Sequence, residues 1–162
     1  MKNRRILFAA LLTPIALVPV AIAFHPPQEN PPLDPKASIT ASLNVPPDVA
    51  ETLRKACYNC HSNETSWPWY SRLPVAGAQI SHDVENGRHA MNFSEWGARR
   101  TARPNVGAAM LEAACTAIEA GEMPKFPYPL VHPEARLSND EKQRFCEWTN
   151  QESRRLLDNK AP

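Results

Sequence analysis

What this chain lacks narrows the field before any motif is read. It has no charge surplus: the formal net charge is +1, and setting aside Lys2, Arg4 and Arg5 at the N-terminus leaves 15 basic against 17 acidic residues. A balance near −2 gives no electrostatic footprint for a phosphate backbone, so nucleic acid is not an expected partner. Alternating apolar and polar runs of the strand type are missing, as are internal repeats. Their absence points to an all-α fold. Glycine is scarce, 5 residues in 162, and that length leaves room for one domain once the apolar N-terminus is set aside. Cysteine is limited to four residues, and two of them stand three apart and run directly into a histidine.

What is present falls into three parts. Residues 1–24 hold Lys2, Arg4 and Arg5 ahead of a run, Ile6 to Phe24, in which sixteen of nineteen residues are apolar and none is charged. This is the pattern of a segment that engages the export machinery. Ala21-Ile22-Ala23 offers small residues at signal-peptidase spacing, while nineteen residues also suffice for an uncleaved anchor, so both a signal peptide and a membrane association through residues 6–24 stay open. Either way the rest of the chain is expected in the periplasm. Residues 25–44 are polar and proline-rich and read as a semi-extended linker. Residues 45–158 carry the helical signals.

In that third part, Pro46-Pro47-Asp48 opens a helix that runs to Cys57, with proline in the first turn and an acidic residue at the positive end of the dipole. A second helix is expected from Pro74 to Asn86, stopped by Gly87, and a third from Asn105 to Ala120, stopped by Gly121. A fourth starts at Ser138, which has capping-box spacing with Glu141, and lines up Phe145, Trp148 and Thr149. Between the first two lies Trp67-Pro68-Trp69-Tyr70, too proline-broken for a helix and too aromatic for a solvated loop. Trp67, Trp69 and Tyr70 are expected to pack over something large and flat.

Cys57-Tyr58-Asn59-Cys60-His61 has the CxxCH spacing of a haem attachment site. Two thiols one helical turn apart can add to the two vinyl groups, and the adjacent imidazole can turn back to the iron. A thioredoxin-type redox pair would want a preceding strand and a βαβ pattern, and neither is visible. Zinc would want a second closely spaced couple, whereas Cys115 and Cys146 lie far apart on separate helices. Those two are a candidate disulfide in an oxidising compartment, or two small buried thiols.

For the sixth iron ligand Met123 is best placed, in a loop between Gly121 and Pro124 with its thioether free to project. His82 is the alternative, since imidazole is an equally competent ligand. Met110 falls on an apolar helix face and reads as core, while His89 and His132 read as surface or hydrogen-bonding residues.

Cys57 to Tyr70, with His82-Asp83-Val84, Gly87-Arg88, Asn92-Phe93-Ser94-Glu95-Trp96, Gly121-Glu122-Met123-Pro124, Tyr128 and His132 to Ser138, resembles the bacterial haem-binding domain family of small c-type cytochromes. The resemblance covers about Val45 to Asn150 and implies a cytochrome c-like helical domain around one covalent haem c, attached at Cys57 and Cys60 and ligated by His61. Its Met-Pro step implies Met123 as distal ligand, with the His82 motif equally part of the likeness. A haem with both axial positions filled can change oxidation state but cannot readily activate a substrate, which implies a one-electron carrier rather than an enzyme. Its partners would be redox proteins, including a membrane oxidoreductase. The alternative is a haem-based sensor or peroxidase-like enzyme with a displaceable distal ligand.

Overall fold

Every regular element among the described residues, 28–97 and 103–158 of the computed structural model, is a helix. The leader expected over residues 1–24 lies outside them. No helix among the described residues is long and apolar enough to cross a membrane. The chain divides into two compact units, one containing residues 28–29 and 66–83 and the other 30–65, 84–97 and 103–158.

The larger unit holds the core, and its first element comes from the stretch read as linker. Ser38 caps a single helical turn, α1 (Ile39–Ser42), its Oγ accepting from the Ala41 amide at 3.2 Å. Ile39 and Leu43, four apart and therefore on one side, are buried in the core. Residues 30–44 are thus part of the domain and not a free tether. The prolines dominate the composition there, but an i, i+4 apolar pair behind a cap is enough to fold a turn onto a core that already exists.

Pro46 and Pro47 start α2 (Pro47–Ala56), which buries Val49 and Leu53 and keeps Asp48 in its first turn. The helix ends one residue earlier than its apolar pattern indicates. Cys57 leaves helical geometry at φ −123°, ψ −40°, and a separate turn, α3 (Tyr58–His61), follows. α4 (Pro74–Ala90) begins in the smaller unit and ends in the larger one.

Gly87 does not stop α4, contrary to the expectation; the helix continues three residues past it. This glycine has a packing function. A Cβ built on it would stand 2.4 Å from the Cys60 carbonyl oxygen and 2.9 Å from its carbon, so only a bare backbone lets α4 lie against the cysteine turn. Gly121, in contrast, is the expected cap, at φ +72° after α5 (Pro104–Glu119). α5 buries Gly107, Ala108, Leu111, Cys115 and Ile118, a stripe of helical period.

A single turn, α6 (Tyr128–Val131), leads to α7 (Asn139–Asp158), the longest helix. The capping box is formed as expected: Ser138 Oγ lies 3.3 Å from the Glu141 amide, and Glu141 reaches back to the Ser138 amide at 2.9 Å. α5 and α7 pack along their lengths, joined by a disulfide between Cys115 and Cys146 with Cα atoms 5.0 Å apart. Phe145, Cys146, Trp148 and Thr149 are the buried side of α7, and Trp148 donates Nε1–H to the Asn44 carbonyl at 2.9 Å.

In the smaller unit, Gln28 Nε2 donates to the Ser71 carbonyl at 3.0 Å and to Ser81 Oγ at 3.2 Å, tying the start of the described chain to the Trp69–Arg72 turn and to α4.

Candidate functional site

Within the larger unit is an apolar cavity of about 230 Å³, walled by Cys57, His61, Met91, Phe93, Met110, Met123, Phe145 and small side chains of α5. It brings together the proximal and distal candidates, His61 and Met123, with one of the two cysteines. Met110, expected in the core, is half-buried, packs on the core and also lines this cavity.

The cysteine turn owes its shape to bonds on both sides of it. The amides of Cys60 and His61 both donate to the Cys57 carbonyl, at 3.1 and 2.9 Å, closing one turn. Ser62 then breaks into extended geometry, donating Oγ–H to the Tyr58 carbonyl and accepting the Glu64 amide. Arg88 of α4 donates Nε–H to the Ser62 carbonyl at 2.8 Å, and its Nη2 donates to Thr65 Oγ1 and Asn30 Oδ1. Burial holds this guanidinium below its usual pKa, with opposing pulls from Cys60 and Glu95.

A buried polar chain fixes the same turn from another direction. The Asn63 amide donates to Ser94 Oγ, Asn92 Nδ2 donates to Asn63 Oδ1 at 2.8 Å, and Asn92 Oδ1 accepts the Ser94 amide. Each member has a partner, which is the condition for such a network to stabilise rather than destabilise an interior. Its reward is register, since Phe93, carried between Asn92 and Ser94, stacks on Tyr58 at 5.7 Å and tilts against the His61 ring at 6.0 Å.

The His61 ring is oriented by a backbone carbonyl. Its Nδ1 lies 3.1 Å from the Met91 carbonyl oxygen. A carbonyl can only accept, so the proton sits on Nδ1 and Nε2 keeps its lone pair, the arrangement that fixes tautomer and ring orientation in metal-bound histidines. Burial lowers the His61 pKa, partly offset by the Met91 and Gly87 carbonyls, which keeps the imidazole neutral.

Cys57 and Cys60 are not bridged. Burial, with the charge of Cys60, pushes the Cys57 thiol up to about 12. A redox-active CxxC works the other way, with a thiol lowered to roughly 7 or below. At neutral pH Cys57 is therefore a protonated thiol in an apolar wall, the opposite of an activated exchange cysteine.

Met123 stands at the opposite end of α5 in sequence. The Glu122 and Met123 amides both donate to the Ala117 carbonyl, at 2.9 and 3.2 Å, around Gly121. Its side chain lines the cavity while remaining 38% exposed. The Met123–Pro124 and Phe126–Pro127 peptide bonds are cis.

His82, Trp67, Trp69 and Tyr70 belong to the smaller unit, and His89 and His132 to the larger one. The His82 side chain is 66% exposed, with Nδ1 3.8 Å from Asp83 Oδ1. Trp69 is 77% exposed and meets Tyr70 edge-on at 5.8 Å; Trp67 is half-buried, and its Nε1 is enclosed with no partner among the described residues. His132 stacks on Tyr128 at 4.2 Å and bonds Glu134, and Tyr128 Oη accepts from Asn59 Nδ2 inside the CxxCH turn.

The residues fit the group that CxxCH implies: an apolar cavity, one oriented neutral imidazole, an unbridged thiol pair and a thioether. A family model described as a haem-binding domain matches residues 17–151. No curated protein and no solved structure matches the chain.

Proposed function

Since the chain belongs to the haem-binding domain family, we propose that it is an exported mono-haem c-type cytochrome that carries single electrons between redox proteins. The observation that carries this reading is His61, on the wall of an apolar cavity with its Nδ1 proton committed to the Met91 carbonyl and Nε2 left to coordinate. When bound, haem supplies a reversible one-electron couple. This chain's residues do the rest. Cys57 and Cys60 would hold the haem through thioether bonds, and His61 and Met123 would supply the imidazole and thioether ligands to its iron.

Met123 is preferred to His82 because it lines the same cavity as His61, whereas His82 is mostly exposed and lies in the smaller unit. An apolar wall and a thioether ligand both disfavour the extra charge of ferric haem, so both raise the reduction potential. An oxidising compartment is supported by the Cys115–Cys146 disulfide, and the basic-flanked apolar leader supports export, cleaved or as an anchor to the cytoplasmic membrane.

One observation favours the second reading, a haem sensor or peroxidase-like enzyme: Met123 is 38% exposed in a short loop, so it can leave the iron without unfolding the core. Optical spectroscopy separates the readings. Oxidised protein should show the weak far-red sulfur-to-iron band, lost in Met123→Ala and kept in His82→Ala, and the reduced protein should bind carbon monoxide slowly. Rapid carbon monoxide binding to the wild type would instead support the sensor, and loss of the sixth ligand in His82→Ala alone would replace Met123 by His82.

A further inference from the structure

The disulfide joins the two helices that wall the cavity from the Met123 side. α5 contributes Met110, Ala113, Ala114, Ala117 and Ile118 to the wall, and α7 contributes Phe145, the residue before Cys146. Cys115 lies two residues before Ala117, whose carbonyl holds the backbone of both Glu122 and Met123. The bond therefore sits within one helical turn of the wall and of the anchor of the Met123 loop. Another polar tie between these helices, Ser153 Oγ to Glu112 Oε1 at 2.7 Å, lies farther from that loop along α5. Cys146, itself buried, borders a surface recess with Glu119, Lys142 and Gln143.

We propose that the Cys115–Cys146 bond is a positioning device for the distal iron ligand, so that cleaving it releases Met123 from the iron while the domain stays folded. The inference rests on Met123 being that ligand. A dithiol reductant breaks the S–S bond by exchange: its two thiols become one disulfide, and Cys115 and Cys146 each leave as a thiol, two electrons and two protons having passed to the protein. Under such conditions an electron carrier becomes a protein whose iron accepts an outside ligand. The bond thus couples the thiol balance of the compartment to the coordination state of the iron.

The test uses the full-length, haem-loaded protein and compares wild type, Cys115→Ala with Cys146→Ala, and Met123→Ala. The bridge-free protein should keep its helical circular dichroism, lose most of the far-red band when oxidised, and bind carbon monoxide when reduced roughly tenfold faster or more than wild type, because the rate follows the fraction of molecules with an open position. If the double variant does not fold, wild type treated with dithiothreitol in the ferrous state carries the same expectation for carbon monoxide, with opening of the bond verified by alkylation and mass. Bridge-free protein with the wild-type carbon monoxide rate overturns the inference and leaves the ligand assignment intact. A wild-type band that survives Met123→Ala overturns both.

Discussion

His61 and Met123 line one cavity but are held there by different means. The turn carrying His61 is fixed by hydrogen bonds from three directions: Arg88 on the Ser62 carbonyl, the Asn63–Asn92–Ser94 chain behind it, and the Met91 carbonyl on the imidazole. α4 lies so close that only glycine fits at position 87. The Met123 loop has two amides on one carbonyl, a left-handed glycine and, one turn back along α5, a disulfide. The proposed attachment at two sulfurs and one nitrogen would require atomic register, and a satisfied polar network supplies register because each misplacement strands a buried donor or acceptor. A thioether that need only reach the iron tolerates a looser mount. The difference implies that damage to the first region costs attachment and folding, while damage to the second changes coordination first.

The sharpest way to break that comparison is at the attachment residues. Cys57→Ala with Cys60→Ala should abolish covalent haem, read as complete loss of haem stain on a denaturing gel. Next in size is removal of the bridge. Cys115 and Cys146 are 31 residues apart, and closing a loop of that length is worth about 3 to 4 kcal/mol in the chain-entropy model. Denaturant unfolding of the double alanine variant should show a loss of that order.

Gly87→Ala should cost about 2 kcal/mol: a backbone clash at 2.4 Å costs up to about 3, offset by about 1 from the better helix former. If Gly87→Ala instead stabilised the protein, the residue would be an ordinary helix glycine and the close approach of α4 to the cysteine turn would be wrong.

The smallest effect is at Glu141, whose carboxyl is held at about 2 by its bonds to Lys55 and to the Ser138 amide and hydroxyl. A folded pKa below the unfolded value of about 4.5 means that its contribution is fully present above about pH 5 and is lost as pH falls through about 2. Both side chains are half-buried at the surface and still reached by water, and screening should keep the loss to about 1 kcal/mol. Glu141→Gln should flatten that part of the stability–pH curve.

Much of this was legible in the sequence where the signal is local. CxxCH, the Pro47 start, the Gly121 cap and the Ser138–Glu141 box are each contained within a few residues. Gly87 was misread because a capping glycine and a packing glycine look alike until the partner, Cys60, 27 residues upstream, is known. Ile39 and Leu43 were hidden among prolines for the same reason, since their burial depends on what they meet. The Met91 carbonyl leaves no trace at all, because every residue has one. Cys115 and Cys146 stood open between a bridge and two thiols, since only the meeting of α5 and α7 brings them to 5.0 Å.

The central claim is covalent haem at Cys57 and Cys60. Intact mass spectrometry under denaturing conditions tests it most directly, on protein matured with the c-type haem machinery. The expected result is a chain heavier by one haem that survives acid and organic solvent, with the added mass on the peptide containing Cys57 to His61; a chain at its bare polypeptide mass, with haem recovered intact in the solvent, would contradict covalent attachment.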